Sequence, residues 1–165
     1  MKLFQDFLIN NIPVIDKAQV LQKTACAVLV MMGSNHGRTE NFAIAYQMLS
    51  SLGECQYSAK IASQDYTGKS FDYDNQAVLI VLTHSMSLAD VREFLKSIEL
   101  KVGRNHNVDN TNTDNINADN IKCTVPLDLD ILAFCEYADD NTQQLWQGVK
   151  ERFPLKAHEI AVLSA

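Results

Sequence analysis

The chain has 165 residues, 47% of them hydrophobic and 21% charged, with only 6 Gly and 3 Pro. These proportions suit one compact domain whose core needs no metal or disulfide staple, and they exclude collagenous, coiled-coil and wholly disordered chains. Fourteen Lys and Arg against twenty Asp and Glu leave a net charge of -6, which argues against a broad basic face for duplex nucleic acid or an anionic membrane.

Residues 1–24 read as an N-terminal extension. Phe4, Phe7 and Leu8 share one face of a short helix that Pro13 should end, and the extension is expected to dock on the domain or on a partner protein. No cleavage site follows it and no run of about eighteen apolar residues occurs, so a cytoplasmic protein without a membrane span is expected. Residues 25–165 read as a single domain. Its first strand is the apolar run Cys26–Met32, broken at once by Gly33, Ser34, Asn35, His36 and Gly37. Phe42, Ala45, Tyr46, Leu49 and Leu52 then recur at helical spacing, and Gly53 is expected to cap that helix in the left-handed conformation.

Residues 54–63 predict a weaker strand, and a polar loop leads to a strong strand at 77–82. Ser87, with Asp90 three residues on, predicts a helix N-cap. Leu88, Val91, Phe94, Leu95, Ile98 and Val102 form the stripe of that second helix, closed by Gly103. Residues 105–120 hold seven Asn and three Asp, a low-complexity loop with too little apolar surface for a core and expected to be mobile. The last strand is expected at 125–134, followed by a helix near 140–152. The order strand, helix, strand, strand, helix, loop, strand predicts an α+β domain: a ferredoxin-like split βαβ arrangement, with an antiparallel sheet and its helices on one face.

Chemistry-bearing residues are few. Cys26, Cys55, Cys123 and Cys135 stand far apart without metal or redox spacing and read as reduced core thiols. The four histidines are scattered without metal spacing. Asp128 and Asp130 stand out, because Asp is depleted in strands yet these two alternate with Leu127, Leu129 and Ile131. Both carboxylates therefore project from one strand face, roughly 6–7 Å apart, close enough to share hard cations. The other reading of the pair is a sheet face that simply meets water.

Four segments in order carry a resemblance: Gly33-Ser34-Asn35; Tyr73-x-Asn75; the helix end IELKVGR at 98–104; and LDLDIL at 127–132. Over about residues 26–134 the chain resembles hydroxymethyldihydropterin pyrophosphokinase, the folate-biosynthesis enzyme that moves the terminal diphosphate of ATP onto a pterin hydroxymethyl group. The resemblance implies the ferredoxin-like fold, ATP and a pterin as substrates, and two magnesium ions held by Asp128 and Asp130. It places Tyr73 and Asn75 against the pterin, with Gly33, Ser34 and Asn35 as the loop over its pocket. Glu99 would lie beside the nucleotide or metal, and Arg104 would take phosphate oxygens as a catalytic cation.

The chain also departs from that family. The basic loop before the aspartates is replaced by the Asn/Asp repeat, a second catalytic Arg is missing, and the downstream His is absent. Arg104, His106 and Lys122 are the cations near that loop, and Lys122, Lys150 or Arg152 would have to fold back to replace the lost charge. Activity below that of a typical family member is expected, and a non-catalytic pterin-binding or interaction module on the same fold is the alternative.

Overall fold

A computed structural model describes residues 12–64, 71–103, 124–137 and 144–165. Sheet strands are β1 (Val14–Ile15), β2 (Thr24–Ser34), β3 (Gly53–Tyr57), β4 (Ile61–Ser63), β5 (Tyr73–Ser87), β6 (Asp128–Tyr137) and β7 (Gln144–Val149). Helices are α1 (Lys17–Val20), α2 (Arg38–Leu49), α3 (Leu88–Lys101) and α4 (Ala157–Ser164), with one 3-10 turn at Lys150–Arg152. The expected N-terminal helix around Phe4, Phe7 and Leu8, Arg104, the 105–120 loop, Lys122 and Cys123 lie outside the described residues.

Strands run across the sheet in the order β1-β7-β6-β2-β5-β3, with β4 also paired to β5. All pairings are antiparallel except β1 with β7, which is parallel. The fold is therefore mixed α and β. β2 lies at the centre, and its near-continuous apolar run is buried because both faces of the sheet are covered there.

One face carries Val28, Val30 and Met32, packed under Phe42, Ala45 and Leu49 of α2 and Val91, Leu95 and Ile98 of α3. Fully burying each such large side chain contributes about 1.5–3 kcal/mol, so this layer supplies most of the core. On the opposite face, Val162 and Leu163 of α4 pack on Leu29, Met31, Ala77 and Leu79. The expectation of helices on one face is thereby corrected. The strand alternation that buries Val30 under α2 and α3 turns Leu29 and Met31 the other way, and the C-terminal helix covers them.

Several local expectations hold. Ser87 caps α3, its Oγ accepting from the Asp90 N–H at 3.1 Å, and Gly103 follows the helix at φ 92°. Others change. Gly53 has no left-handed backbone and opens β3, where it packs against the Val81 carbonyl too closely for any side chain. The expected strand at 54–63 is two strands, and the strand expected at 125–134 is β6, which begins at Asp128 and runs to Tyr137.

In place of the expected helix near 140–152, residues 144–149 form β7 between β6 and β1. The Gly148 N–H there donates to the Pro13 carbonyl at 2.8 Å, so part of the N-terminal extension is built into the sheet. Cys26, Cys55 and Cys135 are free thiols. Among the described residues no helix is long and apolar enough to cross a membrane.

Candidate functional site

The register of the sheet assembles the site. Asp128 of β6 stands opposite Gly33 of β2, Gly33 opposite Asn75 of β5, and Asn75 opposite Ile61 of β4. Asp130 and Met31 form the next row. Because residues two apart share a face, Asp128, Asp130, Gly33, Tyr73 and Asn75 all belong to one side of the sheet. They line a cavity of about 300 Å3, together with Ser63, Arg152, Lys156 and His158.

Gly33 leaves its floor open. A Cβ there would meet Asn75 Oδ1 at 3.5 Å and the Tyr73 ring at 3.9 Å. Asn75 is buried, and its amide nitrogen donates to Ser63 Oγ at 2.7 Å and to the Ile61 carbonyl at 3.4 Å. That fixes the carboxamide with its oxygen toward Gly33.

Asp130 and Arg152 carry the electrostatics. Arg152 Nη1 lies 2.9 Å from Asp130 Oδ2, and Arg152 Nη2 pairs with Glu159 Oε1. Burial pushes the Asp130 carboxyl above the usual range, the neighbouring Asp128 charge adds to the rise, and Arg152 and Lys96 oppose it. Glu159 is fully buried, and its Oε2 also accepts the Lys156 N–H at 2.7 Å. Burial depresses His158, with Lys156 and Arg152 adding to the fall and Glu159 opposing it.

A second cavity of about 300 Å3 lies on the other side of the same pair. Val20, Leu95, Leu129 and Ile131 form its apolar walls and Lys17, Arg92 and Lys96 its cationic groups, and Asp130 and Arg152 line it too. The two cavities therefore meet at one carboxylate and one guanidinium.

The remaining sequence-predicted residues take other places. Glu99 is fully buried on α3, where Oε1 accepts the Leu129 N–H at 2.8 Å and Oε2 pairs with Lys96 at 2.8 Å. It thus anchors the strand between the two aspartates and is not brought to the Asn75 cavity. Ser34 Oγ donates to the Pro126 carbonyl at 2.5 Å, while Asn35 Oδ1 accepts the Val125 N–H at 2.5 Å. These two residues fasten the segment that enters β6. Of the cations weighed to replace the lost charge, Lys150 pairs with exposed Asp16 at 3.0 Å and Arg152 enters the site.

Lys156, His158 and Ser63 were not singled out in the sequence. Arg152 stood near the first two in the chain as a candidate cation, but nothing local says that the chain turns back over β6. Among the described residues no three His, Cys, Asp or Glu side chains converge as a complete metal site. Two carboxylates on one strand face are nonetheless a donor set that suits magnesium, which takes one or two carboxylates and completes its shell with water and substrate phosphate.

Against known proteins, no family model matches the chain and no curated protein matches it.

Proposed function

We propose that the chain is a divergent pyrophosphokinase on a ferredoxin-like fold, transferring diphosphate from ATP to 6-hydroxymethyl-7,8-dihydropterin with magnesium. The observation that carries this reading is the pair of cavities meeting at Asp130 and Arg152. A two-substrate transfer needs a site for each substrate and the charged groups at their junction. The strand order supports the fold: β2 and β5 are central with β6 and β3 outside them, and α2 and α3 lie on one face, as two interleaved βαβ units require.

Tyr73 offers a ring and Asn75 a fixed carboxamide, groups suited to stacking on a flat heterocycle and hydrogen-bonding its edge. The walls beside Leu95 and Ile131 suit an adenine, and Arg92, Lys96 and Arg152 suit its phosphates. Asp128 and Asp130 would hold magnesium, which supplies charge neutralisation across the phosphate chain. The hydroxymethyl oxygen bonds to the β-phosphorus and gives up its proton to solvent, the bond from that phosphorus to the α,β-bridging oxygen breaks, and AMP leaves. Arg152 and Lys156 stand where they can steady the moving diphosphate. They answer part of the charge deficit left by the Asn/Asp loop.

The Arg152–Asp130 ion pair favours the second reading, a pterin-binding module without catalysis, because it occupies a carboxylate that magnesium needs. Measuring AMP release from ATP, magnesium and the pterin separates the two. The enzyme reading expects AMP formation that Asp128→Asn and Asp130→Asn each lower by about a hundredfold or more. Pterin binding without AMP formation would establish the module instead, and turnover undiminished in the double variant would remove the metal role.

A further inference from the structure

Arg152 is held from two sides. Its Nη1 lies 2.9 Å from Asp130 Oδ2, its Nη2 pairs with Glu159, and its side chain is only 21% exposed. Glu159 is itself tied down, since it is fully buried and its second oxygen accepts the Lys156 N–H. The third nitrogen, Nε, is buried and meets no hydrogen-bond acceptor among the described residues. A buried guanidinium N–H without an acceptor is rare and costly. Here the group stands where both cavities meet.

We propose that Arg152 is the resident counter-ion of Asp130 in the substrate-free protein and passes to the nucleotide's phosphates on binding, so that the divalent cation enters with the nucleotide and not before it. Glu159 is the positioning residue of this exchange, which presupposes the diphosphate-transfer reading above. A guanidinium has five donors in one plane, so Nη2 can stay on Glu159 while Nη1, at one edge, leaves Asp130 for a phosphate oxygen and Nε, at the opposite edge, is open to a second acceptor. Until then the Asp130 oxygen that faces Arg152 is engaged, and a cation arriving alone must displace a half-buried ion pair. Phosphate removes that obstacle by offering Nη1 a charged oxygen acceptor in place of the carboxylate.

The test uses the full chain, Mn2+ as the cation and α,β-methylene-ATP as the uncleavable nucleotide, with free Mn2+ read by electron paramagnetic resonance. The wild type should bind Mn2+ weakly alone and tightly with the analogue. Arg152→Met should bind Mn2+ alone roughly two- to fivefold more tightly, on the scale of removing one competing ion pair, and adding Asp130→Asn should abolish the gain. Glu159→Gln should weaken analogue binding in the wild-type background and have little further effect in Arg152→Met. A merely structural Glu159 would give losses that add.

A measurement on the unsubstituted protein guards against variants that fail to fold. The Arg152 Cζ resonance, assigned by its absence in Arg152→Lys, should stay in place with millimolar Mg2+ alone and move when the analogue joins it. Unchanged Mn2+ affinity in folded Arg152→Met, or an equal shift with Mg2+ alone, would overturn the exchange while leaving diphosphate transfer intact. No Mn2+ binding by any variant even with the analogue would overturn both.

Discussion

His158 shows how a single side chain ties the site to pH. Its imidazole is depressed because burial disfavours the cation, Lys156 and Arg152 repel it, and Glu159 recovers only part of that cost. The unfolded chain therefore takes up a proton near the ordinary histidine value, about 6.5, while the folded chain does not. Below that pH the unfolded state binds more protons, so this residue's contribution to stability is lost as the pH falls. Urea unfolding of the wild type and His158→Gln from pH 8 to 5 should show the wild type losing ground in acid, because the difference between the two cancels most other groups. A difference that stays flat over this range would mean that His158 titrates alike in both states.

At the scale of elements, Gly53 shows why a residue type is legible when its role is not. The sequence placed a glycine after an apolar helical stripe and so pointed to a left-handed cap, yet the helix ends at Leu49 and Gly53 serves β3. Its need is space, because any Cβ would overlap the Val81 carbonyl of the neighbouring strand. Gly53→Ala should therefore cost about 1–3 kcal/mol in urea unfolding, the range for overpacking. Gly33→Ala should cost less, because its Cβ meets nothing nearer than 3.5 Å; equal losses would show that backbone freedom, not contact, sets the effect. β7 stands where the local pattern predicts a helix, for a related reason. Leu145, Trp146 and Val149 mimic helical spacing, whereas Gly148 lies where a Cβ would stand 2.6 Å from the Phe153 ring, a constraint set by tertiary packing and invisible in the local pattern. The helices α2 and α3, the central strands and the aspartate face were legible because periodicity alone fixes which side chains share a face. The return of Arg152, Lys156 and His158 over that face was not, since long-range contact leaves no periodic trace.

For the whole molecule, the two cavities on either side of the Asp130–Arg152 pair make ligand binding a property of the assembled sheet. The Asn75 cavity draws on β2, β4, β5, β6 and the segment before and within α4, and the other on α1, α3, β6 and β7. Neither cavity survives unfolding, so each ligand that binds the native state alone should raise its stability by mass action. At a free ligand concentration near a hundred times its dissociation constant the gain is about 2.7 kcal/mol, which for a chain of this size corresponds to roughly 5–11 °C in Tm. The pterin and magnesium with α,β-methylene-ATP should each give such a shift, and together they should exceed either alone. Asp128→Asn with Asp130→Asn should remove the magnesium-dependent part of the nucleotide shift and spare the pterin shift, since Tyr73 and Asn75 are untouched. Differential scanning calorimetry decides it. A nucleotide shift that persists without magnesium and without both carboxylates would mean that the cations around Leu95 bind phosphate unaided and that the aspartate face serves only the sheet.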